Sequence, residues 1–241
     1  MDFHLLTLFP DVLQPYFQES ILGRAQEKKL IRTFCHDLRA YAPGKHQSVD
    51  DSPYGGGAGM VMRPEVVVGA VRDLKARFSI DRVIYLSPRG ILFSHAKAKE
   101  LSTTFSSVLL LCGRYEGVDQ RAIDLVVDEE MSIGDYVLTG GELAAAVVVD
   151  AVARLIPQVV GDIEGPQNDS HAEGLLDHPH YTRPFLFEGV HVPSVLISGN
   201  HAEIERWRRK ESLCMTLKNR PDLIDVKNLS REDRRLLDET K

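Results

Sequence analysis

The sequence predicts an α/β fold with a mainly parallel sheet and helices on both of its faces. Short apolar segments alternate with segments of helical periodicity over residues 3–156, which is typical of a parallel sheet. Two of the apolar segments, 82–86 and 108–111, lead into turns rich in glycine and charge, and we expect a third strand to end at 133–141. Because open parallel sheets bind ligands beyond the carboxyl ends of their strands, we expect the functional site at these turns.

Each element follows from its apolar pattern. Residues 3–9 form an apolar run that Pro10 closes, as in a buried strand. Residues 140–156 are apolar all round, as in a helix buried in a core or a subunit interface. The predicted strands are 3–9, 30–38, 82–86 and 108–111, the predicted helices are 20–29, 65–77, 95–101, 140–156, 202–219 and 231–241, and 41–53 is a predicted loop.

The chain is predicted to contain two domains. Residues 159–168 combine glycines and a proline with no apolar periodicity, which indicates a linker. We therefore expect a first domain at 1–158, a flexible linker at 159–169 and a small helical domain at 170–241.

Composition excludes several classes of protein. The net charge of −6 over 241 residues argues against a protein that coats nucleic acid through bulk positive charge, so we expect no DNA partner. The three cysteines lie far apart with no C-x-x-C pair, and no apolar run approaches the roughly 18 residues of a membrane span. We therefore expect a reduced, cytoplasmic protein without a membrane partner.

Two glycine-rich stretches are candidates for ligand contact. Residues 112–142 carry five glycines among charged residues and tyrosines, which predicts a pocket that backbone atoms line, although turns also use glycine. Residues 53–60, PYGGGAGM, lack the Walker A pattern and the G-x-G-x-x-G spacing, which disfavours a nicotinamide-binding enzyme. This second stretch is either a loop that closes over substrate or a plain surface loop.

A basic segment stands out in the acidic chain. Residues 200–220 contain six bases and three acids, a local balance of +3. The segment is either a phosphate-facing surface or a solvated amphipathic helix that buries Trp207 in the core.

Six motifs occur in order: PYGGGAGM, YLSP, CGRYEG, SIGDYVLTGGE, DSHAEGLLDHPHYTRP and SGNHAEIERWR. With them the chain resembles, over nearly its whole length, the bacterial tRNA (guanine-N1)-methyltransferases of the knotted, or SPOUT, superfamily. The resemblance implies a trefoil knot in the C-terminal part of the sheet, S-adenosylmethionine as methyl donor, a homodimer with shared active sites, and transfer to guanine 37 of tRNA. It also implies a dependence on magnesium, for which we assign no ligands. Ala58, where relatives often have proline, and residues 162–168 depart from the pattern, which leaves the contacts of the linker in doubt.

The reaction defines two catalytic roles. Guanine N1 keeps its proton near neutral pH, so its methylation requires a base and a stabiliser for charge on O6. By resemblance Asp169 is the candidate base, although Ser170 and Glu173 form a capping-box pattern that could simply start a helix there. Arg154 is the candidate stabiliser, although an interface salt bridge would also explain it.

The resemblance also implies binding residues. Glu116 would contact the charged methionine end of the cofactor, unless it merely pairs with Arg114, and Tyr115, Tyr136 and Leu138 would pack around adenine or belong to the core. The candidate cofactor residues are Tyr85, Leu86, Ser87, Pro88, Gly113, Tyr115, Glu116, Gly117, Ile133, Gly134, Asp135, Tyr136, Val137, Leu138, Gly140 and Gly141. The candidate RNA contacts are Asp50, Gly55, Gly56, Gly57, Ser170, His180, Arg183, Arg208 and Arg209.

Three alternatives remain open from the residues. His171, His178 and His180 lie near Asp177 without a recognised ligand spacing, so we expect no metal there. A related knotted enzyme could methylate ribosomal RNA or ribose, and would not need Asp169. A non-catalytic RNA-binding protein would keep the basic helix without needing Glu116, Arg154 and Asp169.

Overall fold

The computed structural model describes residues 1–161, 169–225 and 229–239. The chain divides into two compact units, Met1–Ile163 and Glu164–Lys241. This division falls within the predicted linker at 159–169, of which residues 162–168 lie outside the described residues. Residues 240–241 of the predicted last helix also lie outside them.

The first unit contains a five-stranded sheet in the order β2-β1-β6-β5-β7, and each neighbouring pair of strands is parallel. This arrangement confirms the predicted α/β class with a mainly parallel sheet. The sheet strands are β1 (Asp2–Thr7), β2 (Arg32–Asp37), β5 (Arg82–Leu92), β6 (Ser107–Cys112) and β7 (Glu129–Ser132), and a small hairpin pairs β3 (Asp50–Asp51) with β4 (Val61–Met62). The helices are α1 (Pro10–Gln18), α2 (Ser20–Glu27), α3 (Pro64–Arg77), α4 (His95–Thr104), α5 (Gln120–Val126) and α6 (Glu142–Ala153).

Side chains alternate between two apolar cores, one on each face of the sheet. On the central strand β6, Leu110 points into the core formed with α1, α2, α4 and α6, whereas Leu109 and Leu111 point into the core formed with α3 and α5. Every residue of β6 is buried. Burial on both faces explains why this strand reads as a continuous apolar run.

Several elements differ from the prediction. Pro10 does not end a strand but occupies the first turn of α1, where its missing N–H has no helical partner to lose. Helix α5, which was not predicted, and strand β7, of which only the end at 133–141 was predicted, form within the glycine-rich stretch 112–142. Strand β5 continues to Leu92 through a register shift beyond Leu86, and α6 begins at Glu142 rather than at Gly140.

The second unit is built around two helices, α7 (His201–Asn219) and α8 (Arg231–Asp238). Side-chain oxygens of Asn200 and Ser230 cap their first turns. Leu213 and Leu236 are buried, and Arg209 on α7 donates two hydrogen bonds to Asp233 on α8. The remaining elements are a hairpin of β8 (Leu186–Phe187) and β9 (Val190–His191), which the sequence did not predict, and short 3-10 turns at Ser194–Ile197 and Pro221–Leu223.

Across the described ranges, no helix combines the length and apolarity that crossing a membrane requires.

Candidate functional site

A cavity of about 290 Å³ opens where β6 and β7 end, beside the register shift of β5. The three strands are parallel neighbours, so β6 and β7 present their carboxyl ends at one edge of the sheet. The wall consists of 85–89 of β5, of 113–118 after β6, of 131–134 and 136–141 at and after the end of β7, and of Ala144 of α6. The cavity therefore lies where ligands of parallel sheets bind.

The cavity brings together fifteen of the sixteen candidate cofactor residues. Asp135 is the exception. Tyr115, Tyr136 and Leu138 line the cavity and are between 38% and 55% exposed, so they do not belong to the apolar core. Seven further residues also line it: Arg89, Arg114, Val118, Met131, Ser132, Thr139 and Ala144. The assignment of the cofactor to this cavity stays a prediction.

The walls leave no room for side chains at two of the glycines. A Cβ at Gly113 would lie 2.8 Å from the ring of Tyr85, and one at Gly141 would lie 2.8 Å from Cα of Cys112. Burial of Tyr85 raises the pKa of its hydroxyl, which stays protonated at neutral pH. Tyr115 has a φ of +59°, a left-handed conformation that is uncommon outside glycine and often marks functional sites.

A buried carboxylate joins two of the cavity walls. Glu142 is 2% exposed, and its Oε1 accepts hydrogen bonds from the Thr7 hydroxyl at 2.7 Å and from Arg114 Nε at 3.2 Å. Its Oε2 lies 3.0 Å from Nη2 of Arg114, an ion-pair distance without hydrogen-bond geometry. Arg114 Nη1 also donates to the carbonyl of Thr139 at 3.1 Å. The guanidinium of Arg114 therefore connects the loop after β6 to the loop before α6.

Glu116 does not pair with Arg114, which corrects one interpretation of the sequence. Arg114 pairs with Glu142 instead, and Glu116 lines the cavity with an exposed side chain. The Glu116 N–H donates to the carbonyl of Met60 at 3.0 Å, and a Cβ at Gly59 would collide with the Glu116 carboxylate. The end of the glycine-rich loop 53–60 therefore packs against the cavity wall.

The middle of the same loop is open. Gly55, Gly56 and Gly57 all have positive φ, and nothing lies within 4 Å of a Cβ built on any of them. They do not line the cavity, and neither does Asp50 of β3, another candidate RNA contact. Their contact with RNA stays a prediction.

Asp169 lies in the second unit, at a separate cavity of about 350 Å³. Arg208 and Arg209, two candidate RNA contacts, line the same cavity. Residues 169–175 form turns rather than a helix, so the capping-box interpretation of Ser170 and Glu173 is wrong. The Ser170 hydroxyl instead accepts a hydrogen bond from the N–H of Asp177 at 2.9 Å.

Arg154 is exposed and forms the C-terminal cap of α6, away from the lining of the first cavity. Its N–H donates to the carbonyl of Asp150 at 3.1 Å. Arg154 belongs to the first unit and Asp169 to the second, and their roles in catalysis stay predictions.

The basic segment is heavily ion-paired. Arg206 pairs with Glu239, Arg208 with Glu205, and Arg220 with Asp222, while Arg209 pairs with both Glu173 and Asp233. Trp207 is half-buried, with ring centroids of His178 and Tyr181 each 6.2 Å away. The segment therefore offers less free positive charge than its composition predicts.

Sequence reasoning missed the buried network behind the first cavity. Arg114 and Glu142 stand out only as charges beside glycines, and Thr7 is 135 residues from Glu142. A hydrogen bond between residues so far apart leaves no local pattern. The only available signal was a carboxylate at the start of an otherwise apolar helix.

Comparison with known proteins gives consistent matches. The profile of a protein family described as tRNA (Guanine-1)-methyltransferase TrmD matches residues 1–226. A protein of Dehalococcoides mccartyi strain BAV1 is 53% identical over 240 residues, which cover 99% of this chain and 96% of the relative. One of Myxococcus xanthus strain DK1622 is 54% identical over 233 residues, covering 97% and 94%, and one of Geobacter sp. strain M21 is 52% identical over 239 residues, covering 99% and 96%. All three are named tRNA (guanine-N(1)-)-methyltransferase.

Proposed function

The chain belongs to the tRNA (guanine-1)-methyltransferase family, and on that premise we propose how its residues transfer a methyl group to N1 of guanine 37 in tRNA. The observation that carries the proposal is the cavity at the carboxyl ends of β6 and β7, beside the register shift of β5. Five of its 22 lining residues are glycines, and a buried ion pair connects two of its walls.

The cavity residues fit S-adenosylmethionine, which supplies a methyl group already activated on a sulfonium. The backbone at Gly113, Gly140 and Gly141 can approach the adenine edge and the ribose closely, because no Cβ intervenes. The Gly141 N–H itself donates to the Gly113 carbonyl at 2.9 Å, which fixes the position of this part of the wall. Tyr136 and Leu138 provide apolar surface for the adenine ring. The Glu116 carboxylate supplies negative charge for the amino group at the methionine end.

The knot belongs to this proposal as well. In the proposed knot, the chain from β6 to α6 passes through a loop of its own backbone and wraps around the cofactor cavity. Support comes from family membership and from the position of β6 between β1 and β5 in the sheet.

Asp169 acts as the base in the proposed mechanism. The cofactor would supply the methyl carbon, whose bond to sulfur breaks as its bond to N1 forms, so that S-adenosylhomocysteine leaves. The Asp169 carboxylate would take the N1 proton, and the guanidinium of Arg154 would stabilise negative charge that spreads onto O6. The remaining contribution is alignment of N1 with the methyl carbon. Because Asp169 and Arg154 do not line the cofactor cavity of their own chain, we place them at the cavity of a partner subunit in a homodimer.

The second unit provides tRNA contacts in this proposal. Its candidate contacts are Ser170, His180, Arg183, Arg208 and Arg209, which join Asp50 and Gly55, Gly56 and Gly57 of the first unit. A splayed base in an anticodon loop suits a protein with a modest basic surface. A tRNA substrate also places the protein in the cytoplasm.

Magnesium has no evident place in the part of the chain that the structure describes. Mg²⁺ prefers oxygen ligands, whereas the one cluster of three potential ligands found there contains two imidazoles. We route no step of the mechanism through magnesium.

The test is transfer of labelled methyl from S-adenosylmethionine to a tRNA transcript with guanine at position 37, beside a transcript with adenine there. We expect label only on the guanine transcript, mapped to N1. Label on both transcripts would indicate an enzyme that methylates ribose or another position, and no label on either would indicate a ribosomal RNA enzyme or a non-catalytic RNA-binding protein.

A further inference from the structure

Residues 176–180 of the second unit form a loop with an anchored backbone. The Leu176 N–H donates to Oγ1 of Thr216, and the Asp177 N–H donates to the Ser170 hydroxyl, both at 2.9 Å. Thr216 is fully buried on α7, and its hydroxyl donates to the carbonyl of Ser212 at 2.6 Å. The side chains that follow therefore start from a fixed position.

This loop gathers one carboxylate and two imidazoles. A single ligand-type atom from each of Asp177, His178 and His180 lies within 4.8 Å of the other two. His180 Nε2 is 2.9 Å from Oδ2 of Asp177, and His178 Nε2 is 3.8 Å from Oδ1. Ligands that surround a tetrahedral zinc ion at about 2.0–2.1 Å are roughly 3.3 Å apart, so the two observed distances bracket the required spacing.

The ring of His178 is oriented as a metal ligand would be. Its Nδ1 lies 3.2 Å from the carbonyl oxygen of Pro179. A carbonyl can only accept, so Nδ1 is the donor in this contact, and Nε2 is left on the side of the Asp177 carboxylate. Ligating histidines commonly donate their other N–H to a backbone carbonyl in this way. A cation would lie between Nε2 and the carboxylate.

We propose that Asp177, His178 and His180 bind a divalent transition-metal ion of the zinc class. Imidazole nitrogen with one carboxylate suits zinc and its neighbours, and suits magnesium and calcium poorly. The His180 side chain is 70% exposed, so a fourth coordination position faces solvent. This proposal replaces the expectation drawn from sequence spacing, because the fold brings the three side chains together despite Pro179 between the histidines.

The protein carries its own reporter for this site. Trp207 is the only tryptophan, and its ring centroid lies 6.2 Å from that of His178. We would titrate Zn²⁺ into the full-length chain without a histidine tag, and follow both Trp207 fluorescence and the heat of binding. Neither S-adenosylmethionine nor tRNA is present, so the result does not depend on the proposed function. We expect one saturable equivalent per chain that excess Mg²⁺ does not displace.

Variants decide whether these residues hold the ion. His180→Ala alters an exposed side chain and His178→Ala a half-buried one, and each should weaken zinc binding by about 100-fold or more, beyond what loss of an outer-shell partner costs. His171→Ala removes an exposed histidine of the same segment outside the cluster, and should bind as the parent does. Binding that neither His180→Ala nor His178→Ala weakens would overturn the proposal, as would an equal loss in His171→Ala.

Discussion

The carboxylate of Glu142 lies 3.0 Å from the guanidinium of Arg114, in a place where Glu142 is only 2% exposed. Breaking such a buried pair from one side leaves the other charge without its counterion. Because Arg114 also holds the carbonyl of Thr139, the pair fixes the loop before α6 as well as the loop after β6.

Glu142→Gln should therefore weaken cofactor binding. Glutamine keeps the shape of the side chain but removes its charge, and a hydrogen bond to a charged group contributes about 1.5–3 kcal/mol, or roughly 10- to 100-fold in affinity. The KM for S-adenosylmethionine should rise more than kcat falls, and calorimetry should give the matching change in Kd. Glu100→Gln, at an exposed ion pair with Lys97, is the matched control. An unchanged Kd in Glu142→Gln would remove this pair from cofactor binding.

Asp169→Asn should abolish most methyl transfer and leave cofactor binding intact. The amide cannot take the N1 proton, and loss of a general base costs about 10² to 10⁴ in rate. Single-turnover transfer with saturating tRNA measures the loss, and calorimetry measures cofactor affinity. Glu173→Gln changes another carboxylate that lines the same cavity and should retain the rate. Full activity in Asp169→Asn would exclude it as the base.

Gly141→Ala should weaken cofactor binding although alanine tolerates the backbone conformation. Gly141 has a φ of −79°, but its Cβ would lie 2.8 Å from Cα of Cys112, so the wall must shift. Gly69→Ala is the control, because Gly69 lies within α3 with nothing within 4 Å of a Cβ. That change should stabilise the first unit by about 0.5–1 kcal/mol. Unaltered cofactor affinity in Gly141→Ala would show that the wall adjusts freely.

Acid should destabilise the first unit through a histidine pair. His4 Nδ1 and His36 Nε2 are 3.0 Å apart between Phe34 and Phe78. Burial lowers the pKa of both rings, and for His36, where the proximity of His4 and Arg77 adds to burial, the pKa falls to about 4. A histidine of the unfolded chain has a pKa of about 6.5, so below that pH the unfolded chain binds more protons than the folded chain. The stability that the two histidines contribute is therefore complete above about pH 6.5 and is lost as pH falls towards 4.

Urea unfolding between pH 4 and 8, followed by circular dichroism, measures this loss. Trp207 belongs to the second unit, so its fluorescence does not serve here. In His36→Phe the pH dependence should become shallower, since one of the two depressed groups is gone. The same pH dependence in parent and variant would contradict the assignment.

Alanine variants of Arg208 and Arg209 should distinguish a residue that contacts RNA from a residue that stabilises the second unit. Arg208 pairs only within its own helix turn, with Glu205, and such surface pairs contribute little to stability. Arg208→Ala should weaken tRNA binding and leave the temperature of thermal unfolding unchanged. The slope of the logarithm of the binding constant against the logarithm of the salt concentration should become smaller by about 0.9 for each phosphate contact that is lost. Arg209→Ala, which loses the two hydrogen bonds to Asp233, should lower the unfolding temperature followed by Trp207 fluorescence. Two variants with the same profile would contradict this division.

The parts of the fold that the sequence predicted are those with uniform burial. Strand β6 is buried on both faces and helix α6 on most of its surface, so each leaves an apolar run. Strand β7 pairs only with β5, at the edge of the sheet, and tolerates two glutamates. Its pattern resembles that of a polar turn, which is why only its end at 133–141 was predicted and not its bounds.

The candidate site also contains residues that the sequence predicted and residues that it did not. Motif resemblance selected residues that line one cavity, because their glycines and tyrosines are local in sequence. The buried support that Thr7 and Glu142 give to that cavity depends on the tertiary fold alone. The pairing of Arg209 with Asp233 likewise depends on how α7 packs against α8. The composition of 200–220 had instead predicted that Arg209 carries a free positive charge.

The glycines that line the first cavity, the proposed cofactor site, bear on drug resistance. An inhibitor that bonds to the backbone at Gly113 or Gly141 presents few contacts that a point mutation can remove. Replacing either glycine pushes a Cβ to 2.8 Å from Tyr85 or Cys112. A variant with such a replacement would also deform the cavity for its natural ligand. Resistance would therefore have to arise from exposed side chains around the cavity, such as Val137, which is 81% exposed.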